Sequence, residues 1–168
     1  NYHSHVSIGS PEVEPVLIAV AESVLLSAHR HAASSLDEIG GALIGSAFTW
    51  NGRTVVEVSA AIRGDMMRAG RAHVTFTADT WARLERRRER EFPGQLIVGW
   101  YHSHPRMGIF LSGMDLDIHS GFFQSPWHVA LVVNGQDCRG GFFIWNEGRI
   151  AAAKGFYCIP TRPQRMRL

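Results

Sequence analysis

Two histidines, His102 and His104, are separated by one residue at the end of an apolar run, QLIVGWYHSH (residues 95–104). Side chains two residues apart on a strand point to the same side, so the two imidazoles should project together. Such a pair suits two nitrogen ligands of one zinc ion, with bonds of ~2.0–2.1 Å. A catalytic zinc site also needs a third protein ligand and a water. The pair therefore predicts part of a metal site and directs attention to a third group.

Asp115 is the candidate for that third group, because it follows His104 after a loop that must turn the chain. Ser112 precedes Asp115 by three residues, and a helix beginning at Ser112 would direct both side chains towards the strand end. The same Ser-x-x-Asp spacing also indicates a helix-capping box, and a histidine pair on a strand often has a purely structural role. Cap and ligand roles can coexist for Ser112, less easily for Asp115. The complete pattern, His-x-His, seven residues, Ser, two residues, Asp, favours the metal site.

A second His-Ser-His triplet, at residues 3–5, lacks such partners. The same distances counted from it reach Val13 and Val16, which cannot bind a metal. We therefore expect His3 and His5 to lie in a flexible terminus and to be incidental, or adventitious metal binders.

Residues 99–115, GWYHSHPRMGIFLSGMD, closely resemble the signature of the JAMM (JAB1/MPN/Mov34) metalloproteases. That signature also requires an upstream glutamate in a Glu-hydrophobic-x-Gly-x-hydrophobic-x-Gly segment, and residues 38–45, EIGGALIG, supply it. The segments HVTFT, FFQSPWHVALVV and FFIW look like the prokaryotic, JAB-like isopeptidase branch in particular. Together these segments extend the resemblance over residues 13–158.

The resemblance implies one zinc ion per chain, held by His102, His104 and Asp115 with a water as the fourth ligand. It implies that Glu38 takes a proton from that water and later gives it to the leaving amine. It also implies that Ser112 helps to hold the developing oxyanion. Zinc lowers the pKa of a bound water to ~7, so these roles suit chemistry at neutral pH.

Four further residues are expected to contact the substrate. In the family, the segment before the second helix grips the tail of a ubiquitin-like protein by strand pairing. His73, Val74 and Thr75 belong to a segment here that alternates like an edge strand, although an ordinary sheet edge fits the pattern equally well. Arg106 stands where the family usually has glycine, so we expect it to narrow the substrate groove or to bind a carboxylate.

His119 follows Asp115 by four residues, so it should face the same side of the short helix. Two roles fit that position equally well. It could steady Asp115 as a hydrogen-bond partner, or lie half-exposed on the surface. We do not count it among the ligands.

The elements that must position these residues follow from the apolar patterns. Three- and four-residue spacing predicts one long helix from Pro11 to about Ser34. A second helix is predicted over residues 78–91 and a short third one from Ser112, with a mobile loop at 63–72. Apolar runs bounded by turn residues predict strands at 38–50, 54–62, 73–77, 95–104, 127–133, 140–145 and 149–159.

This order predicts one α+β (α/β-like) domain over residues 1–168, with flexible ends at 1–10 and 160–168. A mixed, curved sheet would be flanked by the long N-terminal helix, the second helix and the short helix at the metal site. The resemblance implies the MPN fold, whose architecture is similar to that of cytidine deaminases.

Composition argues against several classes of protein. A formal net charge of +2 is too small to indicate nucleic-acid binding. No apolar run reaches the ~18 residues of a membrane span, and no secretory signal is visible. Cys138 and Cys158 stand far apart without a metal-binding spacing, which indicates reduced thiols and a cytoplasmic location.

The resemblance implies a zinc metalloprotease that hydrolyses the peptide or isopeptide bond after the C-terminal glycine of a ubiquitin-like protein, and the substrate class rests on the resemblance alone. A sulfur-carrier protein of the same fold is an equivalent substrate, and a homodimer or a partner MPN or E1-type protein is compatible with this function. Two alternatives stay open. One is a catalytically silent MPN scaffold, and the other is a JAMM peptidase that cuts an unrelated peptide.

Overall fold

The computed structural model describes residues 5–64 and 75–161. In these residues a short 3-10 helix (Pro11–Val13) and three α-helices accompany nine strands. The helices are α1 (Glu22–Ala33), α2 (Ala78–Glu91) and α3 (Gly113–Phe122). The strands are β1 (Val6–Gly9), β2 (Val16–Ala21), β3 (Gly40–Trp50), β4 (Arg53–Gly64), β5 (Leu96–Ser103), β6 (Val129–Val133), β7 (Gly140–Asn146), β8 (Arg149–Ala152) and β9 (Gly155–Ile159).

The strands form one mixed sheet in the order β1-β9-β2-β4-β3-β5-β6-β7-β8. β2 runs parallel to both β4 and β9, and β5 runs parallel to β6. The other neighbours are antiparallel. Rings of Phe142 on β7 and Phe156 on β9 lie 5.1 Å apart, although five strands stand between β7 and β9 in the order, so the sheet is strongly curved. The predicted α+β class with a mixed, curved sheet is confirmed.

The predicted long helix from Pro11 to Ser34 is wrong. Its first part is the 3-10 turn and β2, and only Glu22–Ala33 is helical. The sequence of β2, VLIAVA, is an unbroken apolar run, as expected for a strand that is paired in parallel on both sides and covered on its faces. In such a run, apolar residues occur at helical spacing simply because they occur at every position.

Other predicted boundaries also differ. The N-terminus expected to be flexible contains β1, which pairs with β9. The strand expected at 149–159 is two strands, β8 and β9. The break falls at residues 153–154, where the amide of Ala153 still donates to Phe142 of β7 but the amide of Lys154 donates to the Glu14 side chain. Residues 75–77 of the strand predicted at 73–77 are not in a strand, and the rest of that strand lies outside the described residues.

The helices cover both faces of the sheet. On one face, Val24, Ala28 and Ala32 of α1 pack against Val56 and Val58 of β4 and their neighbours. On the other face α2 and α3 contribute Leu84 and Ile118 to a second apolar cluster that includes Trp100. No helix in the described part of the chain is long and apolar enough to span a membrane.

Gly99 allows β5 to pair closely with β6 in the middle of the sheet. A Cβ at this position would lie 2.0 Å from the carbonyl oxygen of Val129, nearer than any Cβ is found to backbone. Glycine is therefore required one residue before Trp100, at the start of the segment that carries the two histidines.

Candidate metal centre

The two histidines lie at the carboxyl end of β5, between two other strands. His102 pairs with Gly40 of β3 on one side and with Val132 of β6 on the other. His104 follows directly after β5 and its amide donates to the carbonyl of Val133. Both side chains are buried, with 0% and 1% of their surface exposed. The strand pairing thus fixes the backbone from which both imidazoles project.

Asp115 is brought to the histidines by the start of α3. Ser112 Oγ accepts the amide hydrogen of Asp115, and Asp115 Oδ2 accepts that of Ser112, so the capping box is present. The same Oδ2 lies 3.1 Å from His102 Nε2 and 3.2 Å from His104 Nε2. One carboxylate oxygen of Asp115 thus takes part in the helix cap and also faces both histidines.

The three donor atoms fit a zinc ion. The Nε2 atoms of His102 and His104 are 3.1 Å apart, and each lies within 3.2 Å of Asp115 Oδ2. Ligands at ~2.0–2.1 Å from a tetrahedral zinc lie about 3.3 Å from one another. In the described residues this is the one group of histidine, cysteine or acidic side chains close enough to hold a metal ion.

The charges of the site suit a cation. Burial opposes ionisation of Asp115, but hydrogen bonds from His102 and His104 prevail and hold the pKa of its carboxyl well below the usual range. Burial likewise opposes the charged form of His104, and the contact with Asp115 outweighs it, so the pKa of His104 is raised. Asp115 is therefore ionised at neutral pH, and a metal ion competes with protons for these donor atoms.

The two imidazoles are oriented in different ways. His104 places Nδ1 3.2 Å from the carbonyl oxygen of Gly108, the usual arrangement for a metal-binding histidine. His102 Nδ1 has no hydrogen-bond partner in the described residues. The ring of His102 instead stacks on the indole of Trp100, with centroids 4.5 Å apart and planes 11° from parallel.

Glu38 precedes β3 and is held near the candidate metal centre by the next residue, Ile39, which is hydrogen-bonded to Ser103. The amide of Ile39 donates to Ser103 Oγ, and the amide of Ser103 donates to the carbonyl of Ile39. The residue between the two histidines thus holds the residue after Glu38. The carboxylate of Glu38 is near enough for its charge to contribute to the raised pKa of His104. The structure therefore brings Glu38, Ser112 and the three candidate ligands to one region.

The expected substrate contacts are placed less completely. His73 and Val74 lie outside the described residues, and Thr75 is half-buried just before α2. Arg106 is exposed in the turn after His104, with a φ of +59°. That left-handed conformation favours glycine, which explains why the family usually has glycine there.

His119 takes neither of the two roles expected for it. His119 is completely buried, so it is not a half-exposed surface residue. Its hydrogen bond is to Trp100 Nε1, at 3.0 Å, rather than to Asp115. Burial, and the nearby His128, lower the pKa of His119 to about 4.

His5 of the N-terminal triplet is exposed and contacts the ring of Tyr157, and it belongs to no metal-binding group in the described residues.

Sequence reasoning missed the parts played by Ser103, Trp100 and Gly108. The two-residue spacing of Trp100 and His102 was a usable signal, because it predicts that the rings share one face of the strand. The contacts of Ser103 and Gly108 involve backbone groups that no residue pattern marks.

Comparison with known proteins agrees with this geometry. A family model described as JAB1/Mov34/MPN/PAD-1 ubiquitin protease matches residues 14–125. The NAD(+) hydrolase TcpA of a Theionarchaea archaeon is 35% identical over 72 residues, 42% of this chain and 22% of that protein. The ubiquitin carboxyl-terminal hydrolase RPN11 of Saccharomyces cerevisiae is 46% identical over 41 residues, 24% of this chain and 13% of that protein.

A solved structure supports the fold alone. Protein DSY2949 of Desulfitobacterium hafniense superposes with a TM-score of 0.61 over 90% of this chain and 97% of that chain, at 15% identity. The chain spans less than a quarter of the length of these curated relatives, so their whole activities are not transferred here. The family model, in contrast, covers more than half of the 168 residues and includes Glu38, both site histidines and Asp115. The chain belongs to the JAB1/Mov34/MPN/PAD-1 family.

Proposed function

We propose that this chain is a zinc-dependent metallopeptidase that hydrolyses the peptide or isopeptide bond after the C-terminal glycine of a ubiquitin-like protein. The observation that carries the proposal is the convergence of His102 Nε2, His104 Nε2 and Asp115 Oδ2, with 3.1–3.2 Å between each pair. Two imidazole nitrogens and one carboxylate oxygen are a donor set typical of catalytic zinc, which keeps its fourth position for water.

His102, His104 and Asp115 would hold the zinc ion. When bound, it would supply a water of lowered pKa, ~7, and polarise the scissile carbonyl. The three protein ligands are buried and fixed by strand pairing and by the helix cap, so little reorganisation is needed to bind the ion. This rigidity supports a catalytic rather than an adventitious site.

Glu38 is the proposed general base. It is half-buried and lies outside the group of three converging donors, so a general-base role does not compete with a ligand role. Its charge acts on His104, and its backbone neighbour Ile39 is bonded to Ser103, so its position relative to the ligands is constrained. In the proposed reaction Glu38 accepts a proton from the attacking water and delivers it to the leaving amine.

Ser112 is the proposed oxyanion donor. Its oxygen accepts the Asp115 amide hydrogen in the capping box, which uses a lone pair and leaves the hydroxyl hydrogen for another acceptor. A half-buried hydroxyl held beside the ligands can donate to the tetrahedral oxygen as negative charge develops there.

The substrate class rests on the family and on the relative RPN11, a ubiquitin carboxyl-terminal hydrolase. A ubiquitin-like modifier or a sulfur-carrier protein of the same fold has the glycine tail that this chemistry requires. Arg106 and the segment containing His73, Val74 and Thr75 are the proposed contacts for that tail. A second MPN protein, an E1-type protein or another copy of this chain is the proposed partner, and the cytoplasm is the proposed location.

The experiment compares three substrates and four proteins. Tag-free chain is first assayed for zinc, which we expect at about one ion per chain. It is then offered a ubiquitin-like protein with a C-terminal extension, a lysine-linked conjugate of that protein and a short unrelated peptide. Glu38→Gln and His104→Ala are compared with the unaltered chain, and Glu12→Gln, an exposed carboxylate on the 3-10 turn, serves as a charge-matched control.

We expect Glu38→Gln to retain zinc and to lose turnover by ~10²–10⁴-fold, since a general base contributes that much. His104→Ala should lose both metal and activity, and Glu12→Gln should lose neither. Near-normal turnover of Glu38→Gln would refute the role of Glu38. Absence of zinc from the unaltered chain would favour the scaffold alternative, and cleavage of the short peptide alone would replace the substrate class.

A further inference from the structure

The ring of His102 lacks the hydrogen bond that normally orients a metal-binding imidazole. Histidine ligands usually donate their second ring N–H to a carboxylate, carbonyl or water. His104 has such a contact at Gly108, but His102 Nδ1 is buried with no partner in the described part of the chain. Something other than a hydrogen bond to protein must therefore set the plane of the His102 ring.

Trp100 takes that place by stacking. Its indole lies nearly parallel to the His102 ring, with the ring centroids 4.5 Å apart. The indole also stacks against the ring of Phe123, with centroids 5.9 Å apart and planes 15° from parallel. Both Trp100 and His102 are completely buried. A ring held in a layer of this kind cannot rotate about χ2 without breaking the packing, provided that the tryptophan itself is held in place.

His119 holds the tryptophan. Trp100 Nε1–H donates to His119 Nδ1 at 3.0 Å, and because indole nitrogen is only a donor, Nδ1 must be the unprotonated nitrogen. His119 stands one helical turn after Asp115 on α3, with the candidate ligand and the hydrogen-bond acceptor both buried against β5. The helix is therefore attached to the strand at two points, Asp115 near the ligands and His119 at Trp100.

We propose that His119 is a positioning residue of the metal centre. By accepting the indole N–H of Trp100, it fixes the ring against which His102 is stacked and sets the distance between α3 and β5. One hydrogen bond thereby orients His102 and places Asp115 at the same time. This proposal rests on the proposed zinc site, and it concerns how tightly and in what geometry that site holds the ion.

The test is the affinity for zinc, measured on tag-free, metal-free protein by competition with a chromophoric chelator. His119→Leu removes the acceptor at similar volume, and His119→Asn retains one, because the asparagine amide oxygen takes the position of Nδ1. His128→Leu is the matched control, because His128 is buried in the same aromatic cluster and contacts Phe123, but its hydrogen-bond partner is the amide of Ser125. Trp100→Phe keeps a stacking ring and removes the N–H.

We expect His119→Leu and Trp100→Phe each to weaken zinc binding by ~10–100-fold, the usual effect of removing a residue that supports a ligand. The double variant, with His119→Leu and Trp100→Phe together, should bind zinc no more weakly than either single variant, because both substitutions break the same hydrogen bond. His119→Asn should keep most of the affinity, and His128→Leu should keep it even though the fold is destabilised. The visible absorption of bound cobalt should change in the same two single variants.

Four outcomes would overturn the inference. Zinc affinity of His119→Leu equal to that of the unaltered chain would do so, as would equal losses in His119→Asn and His119→Leu. If His119→Leu does not fold, Trp100→Phe with normal affinity and an unchanged cobalt spectrum would have the same consequence. Absence of zinc binding by the unaltered chain would overturn this inference together with the proposed function, so the two failures are distinguishable.

Discussion

Acid should destabilise the metal-free protein through two histidines that are buried without charge. His128 is 7% exposed, and its Nδ1 accepts the amide hydrogen of Ser125 at 3.0 Å. Burial lowers its pKa to about 4, against a smaller opposing effect of a hydrogen bond with the Ile97 backbone. The pKa of His119 is lowered to about 4 by burial and by His128. In the unfolded chain both would take up a proton near pH ~6.5.

The sign and size of the effect follow from linkage. Between pH ~6.5 and ~4 the unfolded state binds a proton that the folded state does not, so the free energy of unfolding falls as pH falls. Each histidine contributes a slope of about 1.4 kcal/mol per pH unit, and about 3 kcal/mol is lost from each by pH ~4. Since a domain of this kind has about 5–15 kcal/mol in total, the loss is large. The stabilisation is fully present above pH ~6.5.

Urea unfolding, followed by circular dichroism at several pH values in the presence of a chelator, measures this slope. The matched variant is His128→Asn, whose amide oxygen can still accept the Ser125 amide hydrogen. The ligand cluster titrates in both proteins, so its contribution cancels in the difference. We expect the variant to lose stability less steeply, by about 1.4 kcal/mol per pH unit. Parallel pH profiles for the two proteins would refute the claim that His128 is buried and neutral.

Three further predictions concern the framework and the metal. Gly99→Ala should lower the free energy of unfolding in urea by about 3 kcal/mol or more, because its Cβ meets the Val129 carbonyl. Gly52→Ala, in the open β3–β4 turn, should lower it by about 1–2 kcal/mol, because only its φ of +73° opposes a side chain there. Thr77→Ala should lower the thermal stability by about 1 kcal/mol, since Thr77 caps α2. Zinc at a free concentration of about 100 times its Kd should stabilise the chain by about 2.7 kcal/mol. The last increment should be absent in His104→Ala, and an equal shift there would place zinc elsewhere.

Local signals account for the parts of the fold that the sequence predicts well. The bounds of α2 are reproduced because Thr77 caps the helix and Pro93-Gly94 follows its end. The failures occur where tertiary pairing decides. Residues 16–21 become a strand because β4 and β9 lie on either side of them. β1 is ordered by pairing with β9, a partner almost the whole length of the chain away.

The candidate site shows the same contrast between features set by local sequence and features set by tertiary pairing. The three ligands stand in a pattern of fixed spacing, so each could be identified from its neighbours in the chain. The groups that hold them, Trp100 with His119 and Ser103 with Ile39, act across 19 and 64 residues and depend on the curvature and register of the sheet. Ligand identity is a property of short segments, whereas ligand orientation is a property of the fold.

This division has a consequence for variants within the family signature. A substitution at His102, His104 or Asp115 removes a donor atom and should abolish binding at any pH. A substitution at Trp100 or His119 leaves all three donors present but lets the His102 ring and α3 move, so affinity should fall without disappearing. In the described residues, His104 has a hydrogen bond at its second nitrogen and His102 has none. A substitution at Trp100 should therefore lower zinc affinity more than a substitution beside His104 that leaves the Gly108 carbonyl in place. Comparing zinc affinity of Trp100→Phe with that of Phe110→Leu, which alters only a ring contact of His104, would measure that difference directly.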